Sequence, residues 1–238
     1  MKRLGIIGGL GPMATAYFLR LIVEMTAAET DQEHIEVLLH SKPQIPDRTR
    51  YILGLSEENP MPDLLAVGKS LTAQGAEVIA IPCITAHFFQ KQLEKEIGCH
   101  IIHAIEETAK YLKQENITHV GIMATTGTIE NQLFQEILGK YGIVCSVPEK
   151  EGQDMVMHII YDDVKAGKPI EMQLFTDVSE ALFADGAQVI LLGCTELSMA
   201  KRDHALSAGY LDVMEVLARA AVLECGALKE EYKHLITR

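Results

Sequence analysis

The chain contains Gly75-Ala-Glu-Val-Ile-Ala-Ile-Pro-Cys83-Ile-Thr85, an apolar run that ends on a cysteine. A second stretch, Gly186-Ala-Gln-Val-Ile-Leu-Leu-Gly-Cys194-Thr195-Glu196, has the same build. In each, the cysteine follows the glycine by eight residues (83 − 75 = 8; 194 − 186 = 8). A short apolar run bounded by glycine and proline is typical of a buried parallel strand. Because ligand sites of open α/β sheets gather just past the carboxyl ends of such strands, both cysteines are candidate site residues.

A second pair of segments repeats at almost the same interval. The run Val120-Gly121-Ile122-Met123-Ala124-Thr125-Thr126-Gly127-Thr128 echoes Leu4-Gly5-Ile6-Ile7-Gly8-Gly9-Leu10-Gly11-Pro12, at an offset of 116 (121 − 5 = 116). The cysteine strands are offset by 111 (194 − 83 = 111). Such spacing indicates an internal duplication, although βα units also resemble one another by chance.

The repeat predicts an α/β fold of two Rossmann-like halves with mostly parallel sheets. We expect residues 1–116 and 208–238 to form the first domain, with Cys83, and residues 117–207 to form the second, with Cys194. If the halves are related by pseudo-symmetry, their strand ends face one cleft, and the two thiols face each other across it.

The bulk composition excludes several classes of protein. With 238 residues and a formal charge of −12, the chain lacks the clustered cations that nucleic acids or anionic membranes attract. No signal peptide or long apolar run is evident, and the five cysteines are scattered without a CxxC pair. The histidines show no metal-binding spacing. These features favour a cytoplasmic enzyme with free thiols, no metal and a small-molecule partner.

The glycine turn after the first strand formally matches a dinucleotide fingerprint, Gly9-x-Gly11-x-x-Ala14. That fingerprint requires an acidic residue at the end of the next strand, which here ends in His40-Ser41. We therefore reject a nicotinamide site. The backbone N–H groups around Leu10 still offer a cradle for a carboxylate.

Helical periodicity predicts several further elements. They include helices over residues 13–28, 85–96, 129–141, 153–166 and 170–184, a strand over 143–147 and a short strand over 100–103. Residues 41–49 are expected to form a loop. An amphipathic helix over residues 211–233 has no counterpart after the first half, so it either packs back on the first domain or forms a subunit contact.

Paired cysteines suit the inversion of a stereocentre. One group must remove the α-proton from one face while another delivers a proton to the opposite face. A free thiol has a pKa near 8.5, which its surroundings can lower toward neutrality, so one cysteine can act as thiolate and the other as thiol. The alternative is that Cys83 and Cys194 are small buried residues, as free cysteines often are.

Other side chains near these strand ends have two interpretations each. Arg48 can clamp a carboxylate through two points, or it can be a surface arginine paired with an acid. His87 is either a third acid/base group or a helix histidine with a structural hydrogen bond. Glu196 can orient Cys194, bind an ammonium group or cap a helix.

Taken together, five motifs resemble the aspartate/glutamate racemase family, which needs no pyridoxal phosphate. The resemblance covers nearly the whole chain and is closest to the aspartate racemase branch, which Pro-Asp-Arg-Thr characterises. The motifs are Gly8-Gly9-Leu10-Gly11-Pro12, Pro46-Asp47-Arg48-Thr49, Pro82-Cys83-Ile84-Thr85-Ala86-His87, Ala124-Thr125-Thr126-Gly127-Thr128 and Gly193-Cys194-Thr195-Glu196-Leu197.

The resemblance implies two pseudo-symmetric domains with a cleft between them, usually in a homodimer, and no cofactor. It implies that Cys83 and Cys194 are the catalytic bases for a small acidic amino acid or dicarboxylate, and that Arg48 binds the side-chain carboxylate. The other substrate-binding residues that it implies are Thr85, Thr126, Gly127, Thr128, Thr195, Leu10 and Lys165, the last of which is otherwise a solvated lysine.

One position departs from the family pattern. Ile84 stands directly after Cys83, where the family usually has asparagine. A site that loses a polar partner loses about 1–3 kcal/mol, or more. Ile84 therefore keeps two alternatives open: a related cysteine enzyme of the maleate isomerase or hydantoin racemase type, and a non-catalytic amino-acid-binding protein.

Overall fold

The computed structural model describes residues 1–238, which form two compact units. The first comprises Met1–Ala104 and Glu215–His234, and the second comprises Ile105–Met214 and Leu235–Arg238. The expected domains, 1–116 with 208–238 and 117–207, differ from these units in three segments, 105–116, 208–214 and 235–238, all of which lie in the second unit. Residues 105–116 lie in the second unit, where the Tyr111 hydroxyl accepts a hydrogen bond from the Leu235 N–H at 2.7 Å. Residues 208–214 lie there as well, because part of them forms an edge strand of its sheet.

The first unit is built on a three-stranded parallel sheet of order β2-β1-β3. Leu4 of the central strand pairs with Val37 on one side and Val78 on the other. Its strands are β1 (Leu4–Gly8), β2 (Val37–Ser41) and β3 (Val78–Ala80), and its helices are α1 (Pro12–Met25), α2 (Arg48–Ile52), α3 (Met61–Ala73) and α4 (Gln90–Ile97), with 3₁₀ turns at Asp31–Glu33, Ile84–Phe89 and Glu230–Lys233.

The second unit repeats that strand order and adds one strand, giving a parallel sheet of order β5-β4-β6-β7. Val120 of the central strand pairs with Cys145 and Val189. Its strands are β4 (His119–Met123), β5 (Val144–Ser146), β6 (Val189–Leu192) and β7 (Tyr210–Asp212), and its helices are α5 (Ala104–Gln114), α6 (Thr126–Glu130), α7 (Leu133–Lys140), α8 (Lys150–His158), α9 (Met172–Ala184) and α10 (Leu197–Asp203), with a π-helix at Ile159–Val164. A last helix, α11 (Val213–Cys225), lies in the first unit from Glu215 onward.

The two cysteine strands begin at the same kind of turn. Gly75 and Gly186 both have φ of +96°, a conformation that side-chain-bearing residues rarely adopt. The strands that follow, β3 and β6, are buried along their whole length. Because both faces of these strands are covered, the apolar runs seen in the sequence are the expected ones for an α/β sheet.

Several predicted elements were wrong in extent. The helix expected over 211–233 begins as β7, where hydrogen bonds to β6 take precedence over helical periodicity, and α11 then ends at Cys225 before a glycine. The helix expected over 85–96 is a 3₁₀ turn followed by α4. The helix expected over 129–141 is divided between α6 and α7, where Gln132 has φ of +52°.

The remaining differences concern three segments. Residues 153–166 lie in α8 and the π-helix that continues it. Of residues 100–103, only Ile101 pairs with a strand, in an isolated bridge to Ile79. The loop expected over 41–49 ends in α2, which begins at Arg48 because Asp47 caps it through the Arg50 N–H. No helix of the chain combines the length and the apolar character that crossing a membrane requires.

Candidate active site

Cys83 lies three residues past the last residue of β3. Its N–H donates to the Ile81 carbonyl at 2.7 Å, a tight turn around Pro82, and its own carbonyl accepts from the Ala86 N–H at 3.0 Å to open the 3₁₀ turn. The cysteine is a free thiol with 6% of its surface exposed. The backbone therefore leaves the sheet at this residue, as the sequence predicts for a site residue at a strand end.

Cys194 occupies the corresponding place in the second unit, two residues past β6. Gly193 precedes it, and a Cβ there would lie 2.9 Å from the Phe134 ring, so the close approach requires glycine. The Cys194 carbonyl accepts from the Leu197 N–H at 2.9 Å, which begins α10. This thiol is also free, with 7% of its surface exposed.

Glu196 is the hydrogen-bond acceptor that the structure places beside Cys194. The Cys194 thiol donates to Glu196 Oε2 at 2.9 Å, and the Thr195 hydroxyl donates to the same oxygen at 3.1 Å. Glu196 is itself buried, with 5% exposed. Burial, and then the negative charge of Glu196, raise the pKa of the Cys194 thiol well above its usual range. Cys194 is therefore a protonated thiol at neutral pH, and it donates its hydrogen bond to the Glu196 carboxylate.

Lys165 acts in the opposite direction on that thiol. Its positive charge lowers the pKa of Cys194, although by less than burial and Glu196 raise it. The side chain is exposed, and its Nζ lies 3.9 Å from the centre of the Tyr161 ring, a cation–π contact. Lys165 follows the π-helix directly, and its N–H donates to the Ile160 carbonyl. Because π-helical turns occur frequently at functional sites, this placement supports a role for Lys165.

His87 lies one 3₁₀ turn beyond Cys83 and is buried. Its Nδ1 contacts the Gln90 amide oxygen, its Nε2 lies 3.2 Å from the Ile81 carbonyl, and the Gln90 amide nitrogen donates to the Ile101 carbonyl at 2.7 Å. Burial, followed by the neighbouring His103, lowers the pKa of His87 to about 4. Of its two interpretations, this geometry favours the structural one, because both ring nitrogens face protein oxygens.

Arg48 is buried rather than on the surface, with 8% exposed. Its Nη1 donates to the Pro46 carbonyl at 2.9 Å and the Ile45 carbonyl at 3.2 Å, so the guanidinium holds its own loop. Its helix packs on the segment after Cys83, where the rings of Tyr51 and Phe89 lie 6.0 Å apart. A desolvated arginine in this position is suited to binding a carboxylate.

The glycine turn after β1 is less open than expected. The Gly9 N–H donates to the Thr15 hydroxyl at 2.9 Å, and that hydroxyl donates to the Gly11 carbonyl at 2.9 Å. Leu10 is 2% exposed and packs in the same apolar cluster as Cys83. One N–H of the proposed carboxylate cradle is therefore already used within the protein.

The threonines differ in what they can offer a ligand. Thr128 is fully buried, with its hydroxyl 3.0 Å from that of Thr125. Thr126 is partly exposed just past β4 and accepts a hydrogen bond from the Gln153 amide nitrogen at 3.2 Å. Two other predicted site residues, Thr85 and Gly127, are buried. Thr126 is thus the member of the Thr126-Gly127-Thr128 turn with its side chain at the surface.

A family model described as Asp/Glu/hydantoin racemase matches residues 7–221, which include both cysteine strands. The chain belongs to the Asp/Glu/hydantoin racemase family. By class it is an amino-acid racemase. None of the described His, Cys, Asp and Glu residues form a group of three or more suited to a metal ion.

This racemase resembles several known proteins over most of its length. The solved structure of Picrophilus torridus aspartate racemase has a TM-score of 0.81 and 30% identity, covering 98% of each chain. A putative Asp/Glu racemase from Yersinia pestis has a TM-score of 0.79 and 26% identity, over 94% of this chain and 99% of that one. The broad specificity amino-acid racemase RacX of Bacillus subtilis (strain 168) is 25% identical over 92% of this chain and 96% of its own.

Within each unit of the racemase, the structure brings some predicted residues together. In the second unit, Glu196 accepts hydrogen bonds from Cys194 and Thr195. The charge of Lys165 acts on Cys194 as well. In the first unit, Leu10 and Cys83 share an apolar cluster. Sequence reasoning missed Thr15, Gln90 and Gln153. Their contacts with the motifs could not be found from spacing alone, except that Gln90 lies three residues after His87 in a helical stretch.

Proposed function

We propose that this racemase inverts the α-carbon of an acidic amino acid, aspartate or glutamate, by two-base proton transfer between Cys83 and Cys194. One sulfur, as thiolate, takes the α-proton from one face. The other, as thiol, gives its own proton to the opposite face. The number of protons is unchanged, and the two sulfurs exchange roles, so the reverse reaction uses the same groups. No redox step or cofactor is required.

The observation that carries this proposal is the equivalent placement of two free thiols in two sheets of the same strand order. Each follows the strand that lies on the same side of the central strand, β3 beside β1 and β6 beside β4. A lone buried cysteine is commonly structural. Two at matched positions, one of them in contact with a buried carboxylate, are what a pair of acid/base groups requires.

Glu196 supplies the step that makes Cys194 a base. At neutral pH this sulfur holds its proton, because burial and Glu196 raise the pKa of the thiol. Transfer of the thiol proton to Glu196 Oε2, along the 2.9 Å hydrogen bond, produces the thiolate. After Cys194 has taken the α-proton and Cys83 has delivered its own, the proton on Glu196 returns to the Cys83 thiolate through solvent, which restores the starting state. When Cys194 acts as the acid instead, it already carries the proton that it delivers.

The choice of an acidic amino acid rests on the buried cation Arg48 and on the aspartate racemase from Picrophilus torridus, which is 30% identical over 98% of the chain. A second candidate is a racemase of broader specificity. Ile84, with 2% exposed, places an apolar side chain directly after Cys83, and the Bacillus subtilis relative is a broad specificity enzyme. The proposal includes a homodimer, and light scattering of the purified protein tests it by measuring the molar mass in solution.

The test is exchange of the α-hydrogen in heavy water, with both enantiomers of each amino acid, followed by mass spectrometry and chiral chromatography. Wild-type protein should exchange and racemise aspartate or glutamate. Cys83→Ser and Cys194→Ser should each lose racemisation by at least about 100-fold. Cys145→Ser, at a partly exposed thiol in β5, is the matched control and should retain wild-type rates.

Full racemisation in either the Cys83 or the Cys194 variant would end the two-base mechanism. Comparable rates on aspartate and on apolar amino acids would favour the broader enzyme. Saturable binding of aspartate without any exchange would favour a non-catalytic binding protein.

A further inference from the structure

Gln153 lies in α8 with its side-chain amide directed at the turn after β4. Its Nε2 donates to the Ala124 carbonyl at 2.9 Å and to the Thr126 hydroxyl at 3.2 Å. The Ala124 carbonyl can only accept a hydrogen bond, so it decides which end of the amide faces the turn. With the amide reversed, two oxygens would face each other. The amide nitrogen therefore points at Thr126 as well.

This orientation determines what the Thr126 hydroxyl can do. The oxygen accepts a hydrogen bond from the Gln153 amide, so the hydroxyl hydrogen cannot point back at the amide nitrogen. The backbone N–H of Thr126 donates to the Met157 sulfur at 3.3 Å. The hydroxyl of Thr126 donates to no protein acceptor within hydrogen-bond distance. Because Thr126 is partly exposed, that hydrogen is available as a donor to a ligand.

The position of Thr126 places this donor near the chemistry of the second unit. Thr126 lies three residues past Met123 of β4, and Met123 pairs with Leu192 of β6, two residues before Cys194. Parallel strands end at the same edge of a sheet, where α/β enzymes bind their ligands. Gln153 and Met157 are four residues apart on α8 and so share one helical face, which supports Thr126 at two points.

We propose that Gln153 is a positioning residue, which directs the Thr126 hydroxyl outward as a hydrogen-bond donor to a carboxylate oxygen of the amino-acid substrate. This inference rests on the proposed racemase function for its substrate class. The role of Gln153 is carried by its NH₂ group, since its amide oxygen is buried and has no hydrogen-bond partner.

The chain offers a matched control for this proposal in Gln135 of α7. Both glutamines are half-buried, both donate their amide nitrogen to a backbone carbonyl, and both have a buried amide oxygen without a partner. Gln135 donates to Ile129 at 3.2 Å and contacts no threonine hydroxyl. A change at either position removes the same chemical groups, but only the change at Gln153 affects Thr126.

The experiment compares Gln153→Met, Gln135→Met, Thr126→Val and the double variant Gln153→Met/Thr126→Val. Three quantities are measured: KM and kcat for racemisation of L-aspartate, and the Kd of succinate by calorimetry. Succinate has two carboxylates and no α-stereocentre, so its binding reports carboxylate recognition without turnover. Thermal unfolding shows whether each variant is folded. If Gln153→Met does not fold, Gln153→Glu replaces it, because the new carboxylate would draw the hydrogen of the Thr126 hydroxyl inward.

Gln153→Met should raise both KM and the succinate Kd by about tenfold with kcat within about twofold, as expected when binding is lost equally in ground and transition state. Gln135→Met should match wild type, and the double variant should match Thr126→Val alone. Unchanged constants in Gln153→Met, equal effects of Gln135→Met, or additive effects in the double variant would each overturn the proposal. If wild type racemises no amino acid, the proposed function fails, and the succinate Kd values alone decide the role of Gln153.

Discussion

Replacing Glu196 with glutamine separates two effects of this residue on Cys194. The glutamate raises the pKa of the thiol through its charge, second only to burial, and it also accepts the hydrogen bond of the thiol through Oε2. Glu196→Gln keeps the size of the side chain and removes both. The thiol should therefore ionise more readily, while the enzyme loses the base that the proposed mechanism requires.

The size of the effect follows from the contact distance. Two unit charges about 4 Å apart interact by about 4 kcal/mol at the effective dielectric constant of about 20 that suits protein sites, buried ones included. Lys165 remains in the variant and acts on the thiolate as before, so the whole repulsion by Glu196 is removed, and we take about 2 kcal/mol as its lower bound. That value corresponds to about 30-fold more thiolate at neutral pH. Because a thiolate of lower pKa is also a weaker nucleophile, the net gain in alkylation rate is about 5- to 10-fold.

The assay follows alkylation of Cys194 by iodoacetamide with peptide mass mapping, alongside racemisation. In Glu196→Gln, Cys194 should alkylate about 5- to 10-fold faster at neutral pH, while racemisation falls by at least about 100-fold. Cys145 is the internal reference thiol, because burial alone raises its pKa to about 11. Glu130→Gln, at an exposed carboxylate of α6, is the control for loss of one negative charge.

Two results would refute this reasoning. Unchanged alkylation of Cys194 in Glu196→Gln would mean that the carboxylate does not control the thiol. Faster alkylation together with wild-type racemisation would mean that Glu196 holds the pKa of Cys194 up but takes no proton during turnover.

Two further predictions concern the first unit. The pKa of His87 falls from 6.5 to about 4 in the folded protein, so the neutral ring stabilises the fold above pH 6.5, and this contribution is lost as pH falls toward 4. The shift corresponds to about 3 kcal/mol of unfolding free energy. Urea unfolding at pH 7 and pH 4 should show that His87→Gln loses less unfolding free energy between the two pH values than wild type does. Equal losses in the two proteins would contradict this. Arg48→Lys should raise KM for aspartate by at least about tenfold. Lysine has a single ammonium group in place of the planar guanidinium, so it cannot donate to the Pro46 and Ile45 carbonyls and bind a carboxylate through two points at the same time. Steady-state kinetics measures this effect, and an unchanged KM would exclude Arg48 from carboxylate binding.

The sequence was most informative where strands are buried. A strand such as Val189–Leu192 can be predicted from the sequence without tertiary context, because a strand covered on both faces must be apolar throughout. The repeated Gly-Ala start, with the same positive φ at Gly75 and Gly186, marked the same turn in both units. The placement of Cys83 and Cys194 past their strands followed from these local features.

Helical periodicity was a poorer guide at the ends of elements. Tyr210–Asp212 forms a strand because β6 supplies hydrogen-bond partners from a distant part of the chain. Residues after Cys83 begin as a 3₁₀ turn because the Cys83 carbonyl accepts from Ala86, three residues on. Neither choice is visible in the spacing of apolar residues, since short elements are decided by their neighbours.

The sequence by itself determined that this protein has two parallel α/β sheets, each with a cysteine past the end of an equivalent strand. Only the tertiary structure decided which groups control those cysteines and their surroundings. Glu196 lies only two residues after Cys194 in sequence, yet its contact depends on how the chain turns into α10. Gln153 reaches Thr126 across 27 residues because α8 packs beside the turn after β4. The physical reason is that an apolar run encodes its own burial, whereas a polar contact forms only when separate elements bring donor and acceptor together.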